Sequence, residues 1–369
     1  MTNKAKVGVI GAGWWATTNH LPILKKREDI ELTSVCRLGK KELNKVADEF
    51  EFSHSTENYH ELLENDLDGV IIASPHTKHY EHALAAIKKG FNVMCEKPLT
   101  TNSTEAKTLI NEAKQNDVEI LIPYGWHYVD FIQKSKKIMR ERSVGNIEYV
   151  MCHMASPIRS LLEGKPFDSD GGGAGDRMFD PDPKTWADPI IAGGGYGLAQ
   201  MSHSAGLAFW LTELELSEVF AYTSSPTSKV ELYDSISAKF TNGAIGVFSG
   251  AGALPDNRKF QLDIRIFGSE GVLNIDCDRA RLQLLRHDEK DYDAQLSIDD
   301  GDYYGGGPTD NFADLITKNS TENFAPGWCG MRSIELIDAA YKSVKNNSPV
   351  KIIRDNTYWP LKESPSYCC

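Results

Sequence analysis

The chain has 369 residues, which is long for one hydrophobic core and predicts two domains. Its 41% hydrophobic and 25% charged residues are typical of a globular protein, and its net charge of −12 argues against a nucleic-acid partner because it would repel a phosphate backbone. No stretch reaches the roughly 18 apolar residues of a membrane span, and the N-terminus lacks a secretory signal, so we expect no membrane partner and a cytoplasmic location.

The first predicted strand, Val7–Ile10, ends in the glycine motif Gly11-x-Gly13-x-x-Ala16. When such a motif leads from a strand into a helix, it brings backbone N–H groups to the pyrophosphate of a dinucleotide. Gly11 permits the tight turn, Gly13 keeps a Cβ away from the phosphates, and Ala16 lets the helix pack close to the strand. An ordinary glycine turn is the alternative, and the elements that follow decide between the two.

Strands and helices alternate from this turn to about residue 122. The predicted strands are Val7–Ile10, Leu32–Cys36, Val70–Ala73, Val93–Cys95 and Ile120–Ile122. Helices are predicted over His79–Lys89 and, behind the capping group Thr101-Asn102-Ser103, through Ala113. This alternation predicts a parallel sheet covered on both faces, that is, a Rossmann dinucleotide-binding domain over residues 1–122, and it favours the cofactor interpretation of the glycine turn.

Three side chains bear on the choice of cofactor. Trp14 and Trp15 lie inside the glycine motif, where they stack on a ligand or pack against the second domain. Arg37 follows the second strand, where an acidic residue would bind the ribose hydroxyls of NAD. An arginine there favours the 2′-phosphate of NADP, but it also suits NAD if it stacks on adenine. The predicted cofactor is therefore NAD or NADP.

Polar residues follow three of the strands at the carboxyl edge of the sheet, where ligands bind in open α/β folds. We predict cofactor contacts after the third and fourth strands at Ser74, Pro75, His76, His79, Glu96 and Lys97. A cis peptide bond before Pro98 would aim Lys97 into the cleft, and a solvated Glu-Lys pair is the alternative. Trp126 and His127 follow the fifth strand and are candidate substrate contacts, with a packing role equally open for His127.

From about residue 123 longer alternating strands predict a second α/β domain, residues 123–369, with a large open, mostly antiparallel sheet. Its predicted strands are Ile147–Met154, Glu218–Tyr222, Asp234–Phe240, Ala244–Ser249, Phe260–Phe267, Val272–Ile275 and Arg281–Leu285. Asn242-Gly243 favours a type I′ hairpin, and a late helix is predicted over Met331–Lys345. One face of the sheet is expected to meet helices or a partner subunit, so a homo-oligomer through this sheet is expected.

The segment 156–195 is rich in glycine and proline, including Gly171-Gly172-Gly173, and predicts a long loop that walls the active site. The seven cysteines show no Cys-x-x-Cys spacing, so we expect free thiols and no metal site. Cys368 and Cys369 are adjacent at the end of the chain and are expected to have no role.

Several motifs together resemble the Gfo/Idh/MocA family of sugar and cyclitol oxidoreductases over essentially the whole chain. They are the Gly11-x-Gly13-x-x-Ala16 turn, Ala73-Ser74-Pro75-His76, Glu96-Lys97-Pro98 and the helix beginning at Gly330-Met331-Arg332. The resemblance implies an N-terminal Rossmann domain, a C-terminal α/β domain with a large open sheet, and hydride exchange between a nicotinamide and a sugar carbon.

The resemblance also implies the catalytic residues. The family's lysine near the reacting hydroxyl corresponds to Lys97, and its acid/base histidine, on a helix behind a glycine run, corresponds to His203 behind Gly193-Gly194-Gly195. The aspartate that the family carries four residues before this histidine is replaced by Ala199. We therefore expect Gln200, Tyr196 or a residue of another strand to orient the imidazole, and a hydrogen-bonded core histidine is the alternative.

The predicted activity is oxidation of a secondary hydroxyl of a sugar, glycoside or cyclitol, with C3 of a pyranoside as the suspected position. Such an enzyme can hold its cofactor tightly and recycle it with a 3-oxo sugar. Substrate contacts are predicted at Trp126, His127, Arg177, Trp186, Tyr196 and Gln200. The alternatives are an NAD-dependent glycosidase that oxidises C3 transiently and eliminates the aglycone, and a cofactor-binding regulator without catalysis.

Overall fold

The computed structural model describes residues 4–167 and 177–353. The triplet Gly171-Gly172-Gly173 and the pair Cys368 and Cys369 lie outside the described residues. Among the helices of the described part, none is long and apolar enough to cross a membrane. Within the same ranges there is no group of three or more His, Cys, Asp or Glu side chains placed to hold a metal ion.

The N-terminal half is built on a six-stranded sheet in which every pair of neighbours is parallel. Its strands are β1 (Ala5–Ile10), β2 (Ile30–Cys36), β3 (His54–Thr56), β4 (Gly69–Ile72), β5 (Asn92–Cys95) and β6 (Ile120–Leu121). The spatial order β3-β2-β1-β4-β5-β6 is that of a dinucleotide-binding Rossmann sheet, so the predicted fold is confirmed. The sequence interpretation missed β3 because only one of its three side chains is buried.

Helices cover both faces of this sheet. They are α1 (Leu21–Lys25), α2 (Lys40–Phe50), α3 (Tyr59–Leu62), α4 (His79–Lys88) and α5 (Ser103–Gln115). Successive side chains of β4 point to opposite faces of the sheet, as in any β-strand. Val70 and Ile72 pack into the core that holds Ile87 of α4, whereas Ile71 packs with Val46 of α2. Both predicted helices are present, and the Asn102 side chain caps α5 by accepting a hydrogen bond from the N–H of Glu105.

The C-terminal half contains a nine-stranded sheet. Its strands are β7 (Ile147–Ala155), β8 (Leu216–Ser224), β9 (Tyr233–Phe240), β10 (Ile245–Ala251), β11 (Gln261–Gly268), β12 (Gly271–Asp276), β13 (Arg281–Arg286), β14 (Tyr292–Asp293) and β15 (Val350–Lys351). The order is β14-β13-β12-β11-β7-β10-β9-β8-β15, and β7 with β10 is the parallel pair. The predicted large, mostly antiparallel sheet is confirmed.

The helices of this half pack on one face of the sheet or return to the first domain. They are α6 (Asp130–Arg140), α7 (Arg159–Leu162), α8 (Lys184–Ala187), α9 (Pro189–Ala192), α10 (Ser202–Thr212), α11 (Gly307–Ile316) and α12 (Gly327–Asn346). The predicted late helix is thus confirmed as α12 and is longer than predicted. Phe312 of α11 packs over Gly69 of β4, where a Cβ would lie 2.7 Å from its ring, so the late chain helps to cover the first sheet.

The turn between β9 and β10 differs from the prediction. A type I′ turn needs positive φ at both central residues. Only Gly243 has a positive φ there among the described residues, at 91°, while the Asn242 side chain accepts a hydrogen bond from the N–H of Ala244. The type I′ prediction is therefore wrong. The loop matches a three-residue hairpin that ends in a left-handed glycine.

Candidate active site

A cavity of about 900 Å³ lies between the carboxyl edge of the N-terminal sheet and the C-terminal domain. The predicted cofactor residues that line it are Gly11, Gly13, Trp14, Trp15, Arg37, Ser74, Pro75, His76, His79, Glu96 and Lys97. Ala16 is fully buried beside the turn, in keeping with the packing role predicted for it. The sheet therefore gathers these residues at one edge, as the parallel topology requires.

The glycine turn fits a dinucleotide pyrophosphate. Gly11 has φ 91°, and a Cβ on it would lie 2.3 Å from the backbone nitrogen of Ser74. A Cβ on Gly13 would meet no protein atom closer than 3.8 Å and would take up space in the cavity. The turn leads into a π-helical turn over Ala16–His20, and the first N–H groups of a helical segment lack acceptors within it. The phosphates would be held by this backbone.

Beyond the end of β2 lies the part of the cavity where the adenosine of a dinucleotide would bind, which we call the adenosine end. It carries groups of both charges. Arg37 donates a hydrogen bond from Nη1 to the carbonyl oxygen of Ala12 over 2.8 Å, and its guanidinium lies 4.2 Å from the ring centroid of Phe179. Glu57, which the sequence interpretation missed, also lines the cavity and accepts a hydrogen bond from the N–H of Gly39. Arg37 suits a 2′-phosphate and Glu57 suits ribose hydroxyls, so these residues fit either NAD or NADP.

Lys97 follows β5 and is almost fully buried, with 8% of its surface exposed. Its ammonium donates a hydrogen bond to the carbonyl oxygen of Ala199 over 2.8 Å and lies 5.4 Å from the ring centroid of Trp186. Burial lowers the pKa of Lys97 to about 8, and the charge of Glu96 opposes this shift. The peptide bond between Lys97 and Pro98 is cis.

Glu96 is held by the protein around it. Its Oε1 lies 2.8 Å from Nε2 of His20, and its Oε2 accepts the N–H of Lys97. His20, on the π-helical turn behind the glycine motif, places its other ring nitrogen 2.8 Å from Thr309 Oγ1. Burial alone would raise the pKa of the Glu96 carboxyl, but the hydrogen bond and charge of His20, together with the charges of Lys97 and His79, lower the pKa. Glu96 thus fixes the turn that carries Lys97.

The histidines after β4 support the loops of the cavity wall. Both ring nitrogens of His79 lie 2.7 Å from carbonyl oxygens, those of Pro98 and Ser74, so neither is available to a cofactor. His76 places Nδ1 3.1 Å from the carbonyl oxygen of Ala192 in α9 and lies edge-on to Trp186. Burial lowers the pKa of His76 to about 3 and keeps the ring neutral.

The glycine run before the His203 helix is packed without room for side chains. Gly193 has φ 80°. A Cβ on each glycine would lie 2.5 Å or less from a protein atom, as follows: Thr101 Cγ2 for Gly193, Tyr341 Oη for Gly194 and the Glu231 carbonyl oxygen for Gly195. The run therefore joins the first domain, α12 and the start of β9 at one point.

Glu231, which the sequence interpretation also missed, anchors this run. Its carboxylate accepts the N–H of Gly195 at both oxygens, over 2.9 and 2.8 Å, and the N–H of Gly197 over 3.0 Å. Tyr341 of α12 donates its hydroxyl to the same carboxylate. Gly197 begins a π-helical turn, Gly197–Met201, and α10 with His203 follows directly. Glu231 thus sets where the helix begins.

The residue at the place of the absent aspartate contributes its backbone. Ala199 lies in the π-helical turn, and its carbonyl oxygen, rather than a side-chain carboxylate, receives the hydrogen bond of Lys97. Irregular turns of this kind occur frequently at functional sites. The lysine is thereby tied to the element that presents His203.

His203 lines the cavity in an aromatic surrounding. Its ring centroid lies 5.5 Å from that of Tyr124, 5.7 Å from that of Trp126 and 5.6 Å from that of Tyr303. Its Nδ1 is buried and has no hydrogen-bond partner among the described residues, which disagrees with a hydrogen-bonded core histidine. Burial, with a further contribution from Lys97, lowers the pKa of His203 well below 6.5, so the imidazole is neutral.

The structure separates the predicted substrate contacts. Trp126, Trp186 and Gln200 line the cavity. The prediction is wrong for Tyr196, which is fully buried with its hydroxyl 2.8 Å from Ser156 Oγ and therefore neither meets substrate nor orients His203. Aromatic packing takes the orienting role instead, and no hydrogen bond from Gln200 to His203 is found in the described chain.

Two further substrate predictions need correction. His127 is fully buried, with Nδ1 3.0 Å from the carbonyl oxygen of Phe324, and burial lowers its pKa to about 3. It packs against Trp210 and does not line the cavity. Arg177 donates to the carbonyl oxygen of Phe167 and lies 5.9 Å from the Trp14 ring, so it belongs to the outer wall over the glycine turn.

Sequence reasoning missed several aromatic residues of the cavity. Phe260 lies one residue before β11 and 6.0 Å from Trp126, and the period-two pattern that it shares with Leu262 was the signal for it. Tyr303 lies edge-on to both Trp126 and His203 and donates its hydroxyl to the carbonyl oxygen of Pro123. It lies in a segment without periodicity, so no local pattern marks it.

Comparison with known proteins gives matches across both halves of the chain. A family model described as "Oxidoreductase family, NAD-binding Rossmann fold" matches residues 5–124, and one described as "GFO/IDH/MocA C-terminal domain" matches residues 132–274. The chain is 30% identical to glucose-6-phosphate 3-dehydrogenase of Bacillus subtilis over 44% of its own length and 45% of that protein. It is 24% identical to myo-inositol 2-dehydrogenase of Thermotoga maritima over 78% and 79% of the two chains.

The fold also matches solved structures. A levoglucosan dehydrogenase in complex with NADH superposes with a TM-score of 0.75 at 20% identity, over 96% of this chain and 100% of that one. The chain spans about half the length of the first curated relatives it matches. At a sequence identity of 20%, the structural likeness establishes the fold alone.

Proposed function

The chain belongs to the Gfo/Idh/MocA family of NAD(P)-binding sugar and cyclitol oxidoreductases, and from this premise we propose that it oxidises a secondary hydroxyl of a sugar or glycoside, at C3 of a pyranoside. One observation carries the proposal. Lys97 and a neutral His203 lie in the same cavity as the glycine turn, and the carbonyl oxygen of Ala199 ties the lysine to the histidine's helix. A cation and a proton acceptor are the groups that alcohol oxidation requires.

The two residues have different tasks because their charges compete. Two cations in one buried site repel each other, and Lys97 lowers the pKa of His203. Below pH 8 we therefore assign the charge to Lys97 and leave the imidazole free to accept the hydroxyl proton. The ammonium of Lys97 donates a hydrogen bond to the same oxygen and stabilises the negative charge that develops on it.

The nicotinamide dinucleotide, when bound, supplies the acceptor for the hydride that leaves the carbinol carbon. The groups that would hold it are the backbone of Gly11 and Gly13, with Arg37 and Glu57 at the adenosine end. Trp186, close to Lys97, offers an indole face to the C–H groups of a sugar ring. His203 holds the proton only transiently, because an imidazolium beside Lys97 is disfavoured, and it donates a proton when the reaction runs in reverse.

The direct test is a panel of free sugars, cyclitols and glycosides with NAD and with NADP, followed by the absorbance of the reduced nicotinamide at about 340 nm. We expect a stable keto-sugar whose carbonyl is at C3 by NMR. Release of an aglycone without net change in the cofactor would identify the glycosidase reaction instead. Absence of turnover with every member of the panel would favour the regulator and contradict the proposal.

We also propose that the outer face of the C-terminal sheet pairs with a second copy of the chain. Strand register places Ile245, Tyr149, Phe267, Val272 and Leu285 in one row across five strands. Ile245 and Leu285 are 52% and 40% exposed, which is unusual for a row of large apolar side chains. Phe267→Lys is expected to reduce the molar mass in solution, measured by light scattering, and an unchanged mass would contradict this pairing.

A further inference from the structure

The cavity is lined in part by apolar side chains from separate parts of the chain. They are Ile158, Leu161, Trp186, Ile190, Phe260 and Tyr303. Ile190 of α9 is 83% exposed although it forms part of the cavity wall. Together with the other apolar residues of the lining, Ile190 offers an apolar part of a ligand a surface to cover.

The cations of the cavity wall are already engaged. Among the described residues, the lysines and arginines that line it are Arg37, Lys78 and Lys97. Arg37 lies at the adenosine end, Lys78 is paired with Glu81 on the outer surface, and Lys97 is assigned to the reacting oxygen. Arg177, on the outer wall over the glycine turn, is paired with Asp180 over 3.1 Å. A phosphate or carboxylate on the substrate would therefore have to displace an existing partner of each lysine or arginine described in the wall.

The remaining charged groups of the wall disfavour an anion. Asp180 and Asp182 line the cavity but are exposed to solvent, and Asp180 is paired with Arg177. The carboxylate of Glu96 is buried beside Lys97. His76, whose pKa burial lowers to about 3, contributes no positive charge. An acidic substrate would therefore compete with the buried carboxylate of Glu96 for the charge of Lys97, which is costly in a buried site.

We propose that the natural substrate is an uncharged glycoside with an apolar aglycone, and that the site rejects phosphorylated and acidic sugars. The proposal rests on the oxidation of a sugar hydroxyl proposed above and names its substrate class. The sugar ring would lie at Lys97 and His203, against Trp186. The aglycone would cover Ile190 and the neighbouring apolar wall, including Phe260.

The first test compares phenyl glucopyranoside, methyl glucopyranoside and glucose 6-phosphate, with both anomers of each glycoside. We expect kcat/KM to be at least about tenfold higher for the phenyl than for the methyl glycoside, which is the discrimination typical of an apolar pocket. For glucose 6-phosphate we expect kcat/KM to be at least about tenfold lower than for the methyl glycoside. Equal values for the two glycosides, or a preference for the phosphate, would overturn the proposal.

Binding separates this proposal from the dehydrogenase activity. Intrinsic tryptophan fluorescence of the cofactor-loaded protein reports ligand binding without turnover. Tighter binding of the phenyl glycoside than of the other two sugars, even with no oxidation, supports the proposed substrate class while contradicting the proposed reaction. Equal affinities for all three would overturn the substrate class, whatever the reaction.

A matched pair of variants locates the aglycone. Ile190→Ser is expected to lower the phenyl-to-methyl ratio of kcat/KM by at least about threefold, because it removes an apolar contact at the wall. Ile353→Ser is the control, since Ile353 is 85% exposed and lies outside the cavity lining. A phenyl-to-methyl ratio that is unchanged in Ile190→Ser would remove α9 from the aglycone site and overturn the placement.

Discussion

Two glycine-rich segments border the cavity, and they use glycine for different reasons. At Gly13 a Cβ would meet no protein atom within 3.4 Å, so the absent side chain leaves space that a ligand can take. In the run from Gly193 to Gly195 the space is already filled by Thr101, Tyr341 and Glu231. The first segment, the glycine turn, thus leaves space for a ligand. The second segment, the packed glycine run, positions the helix of His203 and the carbonyl group that Lys97 contacts.

Among the changes that test this difference between the two segments, Gly195→Ala has the largest expected effect. The new Cβ would lie 2.3 Å from the carbonyl oxygen of Glu231, a backbone atom that cannot move alone. We expect a loss of about 1–3 kcal/mol in the free energy of unfolding and a fall in kcat of at least about tenfold, because the start of the His203 helix must shift. Denaturant unfolding measures the free energy of unfolding, and steady-state kinetics measures kcat. A variant with native stability would show that the glycine run has room for a side chain.

Glu231→Gln is expected to have the next largest effect. It replaces one carboxylate oxygen with an NH₂ group, which cannot accept a hydrogen bond. In the place of Oε2 this group faces the N–H of Gly195, and in the place of Oε1 it faces those of both Gly195 and Gly197. We expect kcat to fall about tenfold while KM and the affinity for the dinucleotide change less, since Glu231 does not line the cavity. Tyr341→Phe removes a single hydrogen bond to the same carboxylate and serves as a milder control. A stability loss with unchanged kcat would make Glu231 structural only.

Gly13→Ala is expected to act on the cofactor alone. Because the added Cβ meets no protein atom closely, the free energy of unfolding without cofactor should stay within about 1 kcal/mol of the wild type. The affinity for NAD or NADP should fall at least about tenfold, or about 1.4 kcal/mol, in a calorimetric titration. Unchanged affinity would mean that the turn does not hold the pyrophosphate.

The smallest expected effect is the dependence of kcat/KM on pH. Burial lowers the pKa of Lys97 to about 8, so the ammonium is present below pH 8 and lost above it. Since the pKa of His203 lies well below 6.5, its imidazole is a base throughout the neutral range. We expect kcat/KM to fall above about pH 8 and to stay level between pH 7 and 6. A decline between pH 7 and 6 would show a histidine that titrates normally.

The glycine turn is far easier to predict from the sequence than the packed glycine run. Continuous apolar runs such as Val70–Ala73 and the glycine motif are local signals, so the parallel sheet and the cofactor site follow from them. The burial of His127 and of Tyr196 depends on distant parts of the chain, which supply the partners Phe324 and Ser156. Their positions in the sequence, after the fifth strand and just before the His203 helix, therefore made His127 and Tyr196 look like substrate contacts.

The surroundings of His203 show the same limit in another way. The alanine at position 199 tells the reader of the sequence only that a carboxylate is missing. Lys97 contacts the backbone carbonyl oxygen of this residue, and such a contact cannot be read from the type of side chain. Tyr303 reaches the imidazole from a segment a hundred residues later in the chain. Glu231 was missed because its role depends on N–H groups of a glycine run that folds against it.

The most direct test of the catalytic assignment is the turnover of His203→Ala beside its dinucleotide affinity. The proposed role as the base for the sugar hydroxyl requires kcat to fall by about 10²–10⁴. The dinucleotide should bind as in the wild type, because the glycine turn, Arg37 and Glu57 are untouched. A variant that binds the cofactor normally and oxidises the same sugar at the wild-type rate would contradict the assignment of His203 as the catalytic base.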